Sequence, residues 1–176
     1  MYSFLIRLRH FDSRNIAMLE IIEGSGDRSR RHSLNQAFLR QEATEWILDA
    51  QVLLDGGRWS HAYYVAGYAV ECALKSCLLA RMVYTGWVFQ EKARIEDVRT
   101  HEFEKLIQLA GLTDELITNQ QSSAAAGGGF VANWQIATQW KVTSRYESRT
   151  EVEARQLYDA IIQAPDGVLP WVQQYW

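Results

Sequence analysis

The stretch from Ser60 to Met82, SHAYYVAGYAVECALKSCLLARM, is apolar around nearly its whole circumference when projected at about 100° per residue. A helix of that kind has no broad face to give to water, so other helices must surround it. The chain therefore reads as a bundle built around this segment. One narrow polar stripe breaks the pattern: His61, Tyr64, Tyr68, Glu71 and Lys75 fall within an arc of about 80°. That stripe is the part of the helix that can face water, a cleft or another subunit.

The flanking sequence supplies the partners. From Asn35, the residues Leu39, Ala43, Trp46, Ile47, Ala50, Leu53 and Leu54 recur at helical spacing, and Gly56 with Gly57 closes the segment. Ser60 is a plausible N-cap for the central helix. Thr100 is placed to cap a helix using Phe103, Leu106, Ile107 and Ala110, which Gly111 stops, and Thr113 with Asp114 and Glu115 opens another. Gln121 to Gly129 reads as a flexible loop, and Phe130 to Trp140 as a helix with Trp134, Ala137 and Trp140 in phase. Thr150 and Glu153 have the spacing of a capping box ahead of Ala154, Leu157, Ile161 and Ile162. Pro165 and Asp166 end that helix, and VLPWVQQYW makes a final short helix or turn.

With only 2 prolines in 176 residues and no strand-rich region, the expected fold is all-α, an up-and-down bundle. The pattern gives it about five to six helices. Residues 35–176 form the bundle. Residues 1–34, whose short apolar pieces are broken by Gly24 to Gly26 and followed by Arg28, Arg30, Arg31 and His32, read as a poorly ordered extension.

Bulk properties restrict the function classes. A net charge of -3 gives no global field for nucleic acid, so such a partner has to be held by a local patch. No apolar run approaches the roughly 18 residues of a membrane span, so no membrane partner is expected. Cys72 and Cys77, five apart in the central helix, point in different directions and read as small buried thiols. Buried thiols suit a reducing compartment, and the cytoplasm is the expected location. The sequence contains no phosphate-cradling GxxxxGK[ST], no GxGxxG, no HExxH, no paired CxxC and no GxSxG. Neither a metal nor a cofactor is expected.

Three sets of residues carry possible chemistry. Glu71 and Lys75 stand at i, i+4 on the stripe, either as an ion pair closing the solvent side of the bundle or as part of a cleft. In the cleft, Tyr64 or Tyr68 would stack on a base and Lys75 would meet a phosphate. His101, at the start of the third helix, is placed to act as a general base or to hydrogen-bond a neighbouring helix. In TSRYESR, Arg145 and Arg149 with Tyr146 offer either an anion grip beside an aromatic plate or structural clamps on a loop.

Four pieces in order, GRWSHAYYVAGYAVECALKSCL, THEFEKLIQLAGL, NWQIATQWKVTSRYES and GVLPWVQQYW, resemble prokaryotic HEPN-domain proteins. The resemblance covers roughly residues 35–176. It implies a helical bundle that forms a homodimer and binds a nucleotide or RNA, or pairs with a nucleotidyltransferase in a toxin–antitoxin-type system. Some members of the family are metal-independent endoribonucleases, in which an arginine is followed after four to six residues by a histidine at the start of a late helix. The helix after Arg145 and Arg149 contains no histidine; Arg94 and His101 have the spacing but lie earlier in the chain. The expectation is therefore a non-catalytic binding module, with a ribonuclease using Arg94 and His101 and a structural oligomerisation subunit as the alternatives.

Overall fold

The computed structural model describes residues 35–85 and 99–176. Among them the structure is all-helical, with no strand: α1 (Gln36–Asp55), α2 (Trp59–Thr85), α3 (Phe103–Ala110), α4 (Thr113–Ala125), α5 (Gly129–Ala137), a 3-10 helix (Val142–Tyr146), α6 (Glu151–Ile162) and α7 (Val168–Val172). No helix among the described residues is long and apolar enough to cross a membrane. The expected extension 1–34 and the charged connector carrying Arg94 lie outside the described residues.

The central role of α2 follows from its composition. It packs against α1, α3, the 3-10 helix, α6 and α7, and its residues from Ala62 to Leu78 are buried almost without interruption. On α1 the buried positions Leu39, Ala43, Ala50 and Leu54 keep four- and seven-residue spacing, the face a helix presents to one neighbour. Asn35 caps α1, its Oδ1 accepting from the Phe38 N–H at 2.9 Å. At the other end Gly57, at φ 70°, lets the chain reverse at once: the Gly57 N–H donates to the Leu54 carbonyl and the Arg58 N–H to that of Leu53. This is the doubled bond pattern of a left-handed helix stop, and it lays α1 along α2 through a three-residue turn.

Several boundaries differ from the sequence reading for identifiable reasons. Ser60 lies inside α2 instead of capping it, because its Oγ accepts from the Arg149 N–H at 2.8 Å. Thr100 holds the turn before α3, accepting from the Glu102 N–H at 3.1 Å, and Glu102 occupies the cap position. Gln121 to Ala125 is the last part of α4 and not a loop; the break is confined to Ala126–Gly128. Alanine and serine there carry no steric bar to helix, and only Gly127 and Gly128 take positive φ, at 108° and 83°. The Ser123 hydroxyl then accepts from the Phe130 N–H at 3.0 Å and ties α4 to α5.

Two aromatic clusters fill the bundle. Phe130, Trp134, Trp171 and Tyr175 join α5 to α7, with ring centroids 5.4 to 6.3 Å apart. The second cluster gathers on Trp140, beside the polar stripe of α2.

Candidate functional site

Trp140 sets the geometry of this region. A Cβ on Gly67 would overlap the Trp140 ring, so the missing side chain of Gly67 is what lets the indole lie directly on α2. There its Nε1 donates to the Tyr64 carbonyl at 3.1 Å. The same ring stacks on Phe103 at 5.3 Å and 11°, lies at 6.2 Å and 28° to Tyr64, and meets Tyr68 edge-on at 5.6 Å. Trp140 thereby fixes the start of α3 against the tyrosines of the stripe. Sequence periodicity placed both Trp140 and Phe103 in the core without revealing this role. A glycine in the middle of the helix was the available signal, since glycine there costs roughly 1 kcal/mol and marks a close approach.

That docking brings His101, two residues before α3, onto Glu71. The His101 Nδ1 lies 2.9 Å from each Glu71 oxygen, and the Lys75 Nζ lies 2.8 Å from Oε1. A carboxylate only accepts, so Nδ1 carries its hydrogen in this contact and Nε2 is directed away from Glu71. The Glu71 side chain is 2% exposed and that of Lys75 11%, whereas His101 is 40% exposed. The buried carboxylate thus has its charge met by lysine and its second partner in the imidazole, whose outer edge reaches the surface. Glu71 and Lys75 do not close the solvent side of the bundle; they are inside it.

Along the stripe, the Tyr68 hydroxyl is hydrogen-bonded to that of Tyr64, and burial, this bond and the nearby Glu71 charge hold the Tyr68 phenol well above its ordinary range. Tyr64, itself buried, interacts with the exposed Arg145 of the 3-10 helix. The Arg145 guanidinium lies 4.7 Å over the ring of Tyr146, an exposed residue. Arg145, Tyr64, Tyr68, Glu71, Lys75 and His101 therefore form one row, with the exposed Arg145 at one end, His101 at the surface at the other, and Tyr64, Glu71 and Lys75 buried between them.

The remaining sequence candidates lie apart from this row. His61 is exposed on the first turn of α2, about 15 Å along the axis from Glu71. Arg149 is engaged as a clamp: its guanidinium lies 4.5 Å over Tyr63, bridges to Glu147, and reaches Glu153 at 3.3 Å. Tyr63 lies about 100° round α2 from Tyr64, so Arg149 joins α2 to α6 and does not share Arg145's anion-facing position. Burial pushes the Cys72 thiol up to about 12 and Cys77 to about 11, leaving neither as a thiolate nucleophile at neutral pH. Among the described residues no group of three His, Cys, Asp or Glu side chains is placed to hold a metal ion.

Comparison with protein-family models, curated proteins and solved structures finds no match for this chain. The likeness to HEPN proteins stands on the four sequence pieces alone. What the row offers a ligand lies at its two surface ends: the Arg145 guanidinium for an anion and the carboxylate-oriented imidazole of His101.

Proposed function

We propose that the chain is a HEPN-like module that binds the phosphate of a nucleotide or RNA at Arg145, the exposed end of the row. The observation that supports this most is the placement of Arg145, exposed to solvent with its guanidinium 4.7 Å over the Tyr146 ring. An arginine that rests on an aromatic face keeps the edge of its guanidinium open to an anion. Lys75 and Glu71 cancel one another, so Arg145 leaves the row net positive although the chain as a whole is acidic. In this reading the module works as a homodimer, alone or beside a nucleotidyltransferase of a toxin–antitoxin-type pair.

The test is binding of labelled single-stranded RNA at low salt, followed by fluorescence anisotropy. Arg145→Ala is expected to weaken binding about tenfold, the worth of a charge-assisted hydrogen bond. Lys75 is a poor probe because removing it strands a buried carboxylate. An unchanged affinity in Arg145→Ala contradicts the proposal, and no binding by the wild type favours the oligomerisation reading.

One observation favours the ribonuclease alternative as a second reading. A carboxylate-oriented imidazole with Nε2 directed away from its partner is what a general base needs. Metal-independent cleavage predicts RNA scission in EDTA that His101→Ala abolishes; intact RNA after incubation across varied sequences removes this reading.

A further inference from the structure

Three features of the core converge on one surface imidazole. Gly67 leaves out a side chain in the middle of α2 so that Trp140 can lie there, and Trp140 stacks on Phe103, two residues after His101. Glu71, 2% exposed, presents its carboxylate to His101, although a buried Glu71–Lys75 pair contributes little to stability. Lys75 occupies Oε1, and among the described residues Oε2 bonds to the imidazole only. A histidine that merely covered the start of α3 would not need a buried charge behind it.

Which nitrogen is held decides what the ring is suited to. Nδ1 donates to Glu71, so a new bond forms at Nε2, on the side away from the carboxylate, and leaves the Glu71 contact intact. Attack by Nε2 puts positive charge on the ring. A buried carboxylate 2.9 Å from Nδ1 stabilises that charge as it develops. An acid–base reaction on RNA needs a second group to protonate the leaving oxygen. A phosphoryl donor that brings its own good leaving group does not, so one oriented nitrogen is enough. Burial keeps the Cys72 and Cys77 thiols protonated, so neither competes as a nucleophile.

We propose that His101 is a phosphoryl-acceptor site: its Nε2 takes a phosphoryl group from a phosphoramidate donor, with Glu71 as the positioning residue. The unprotonated Nε2 forms the new N–P bond with its lone pair. The donor, protonated on its own nitrogen, loses its P–N bond, and that nitrogen leaves as a neutral amine with the electron pair. Nδ1 keeps its hydrogen on Glu71, and the product is an Nε2-phosphohistidine. This site is independent of the phosphate site at Arg145.

The experiment incubates the full chain with potassium phosphoramidate at neutral pH and follows the phosphoryl mass gained by each histidine-containing peptide. His61, exposed on the first turn of α2 and without a hydrogen-bond partner among the described residues, is the comparison within the same molecule. His101 is expected to be phosphorylated about tenfold faster than His61, the worth of one charge-assisted hydrogen bond. Its label should be lost in acid and kept in base, as an N–P bond requires. The paired change Glu71→Leu with Lys75→Met removes the carboxylate without stranding a charge, and is expected to bring the ratio of the two rates near one. Thermal melting of that variant checks that the bundle is kept. Equal rates at His101 and His61 in the wild type overturn the proposal without need of a variant, and so does a tenfold ratio that survives in the folded double variant.

Discussion

Glu71 spends both of its oxygens inside the protein, one shared between Lys75 and His101 and the other on His101. A buried ion pair of this kind contributes little net stability, because desolvation offsets its Coulomb attraction, yet breaking it from one side is costly. Glu71→Gln leaves the Lys75 ammonium buried opposite a neutral amide. Urea unfolding of this variant is expected to show a loss of about 3 kcal/mol, within the range for an uncompensated buried charge. The double change Glu71→Leu with Lys75→Met is expected to recover most of it, since two apolar side chains of similar volume need no partner. Equal stability of the wild type and Glu71→Gln contradicts the description of Glu71 as the fixed point of the row. At this scale the sequence showed the i, i+4 pairing, but its burial depends on which helix covers the stripe. A glutamate and lysine one turn apart look the same on a solvated face.

At the level of elements, signals carried by adjacent residues were legible and those requiring a competitor were not. Thr150 and Glu153 do form the reciprocal cap of α6, the Thr150 Oγ1 accepting from the Glu153 N–H at 3.3 Å and Glu153 accepting from the Thr150 N–H at 2.8 Å. Ser60 has the residue type of a cap but no acid or amide three residues on, and its hydroxyl takes a tertiary bond from Arg149, 89 residues away. Thr150→Ala is expected to cost about 1 kcal/mol of unfolding free energy. The cap also carries a pH dependence. Bonds from the Thr150 hydroxyl and backbone, with Arg149 beside them, hold the Glu153 carboxyl below its ordinary value of 4.5. A carboxylate shifted downward stabilises the folded state in full above its unfolded value, and the gain is lost as pH falls through the lower folded one. The stability gap between the wild type and Glu153→Gln is therefore expected to be constant near neutrality and to close under acid. A gap that widens as pH falls below 4.5 contradicts this assignment.

On the scale of the whole molecule, the site draws on three separated stretches: the stripe of α2, the turn before α3, and the 3-10 helix between α5 and α6. His101 meets Glu71 across 30 residues and Trp140 meets Tyr64 across 76. Helical periodicity gave the stripe and the bundle around it, because the apolar surface of α2 has to be covered whatever covers it. It could not give the register of α3 on α2, which decides whether His101 faces a carboxylate or water. Nor could it divide Arg145 from Arg149, four residues apart, one beside Tyr64 and the other clamped between acids over Tyr63. The central claim is that this assembly holds a phosphate chain through Arg145. Its most direct test is the salt dependence of single-strand binding, measured as the slope of log K against log salt for the wild type and Arg145→Ala. Each phosphate contact contributes roughly -0.7 to the slope on a single strand, so Arg145→Ala is expected to be shallower by about that amount. Parallel slopes for the two proteins would contradict the account.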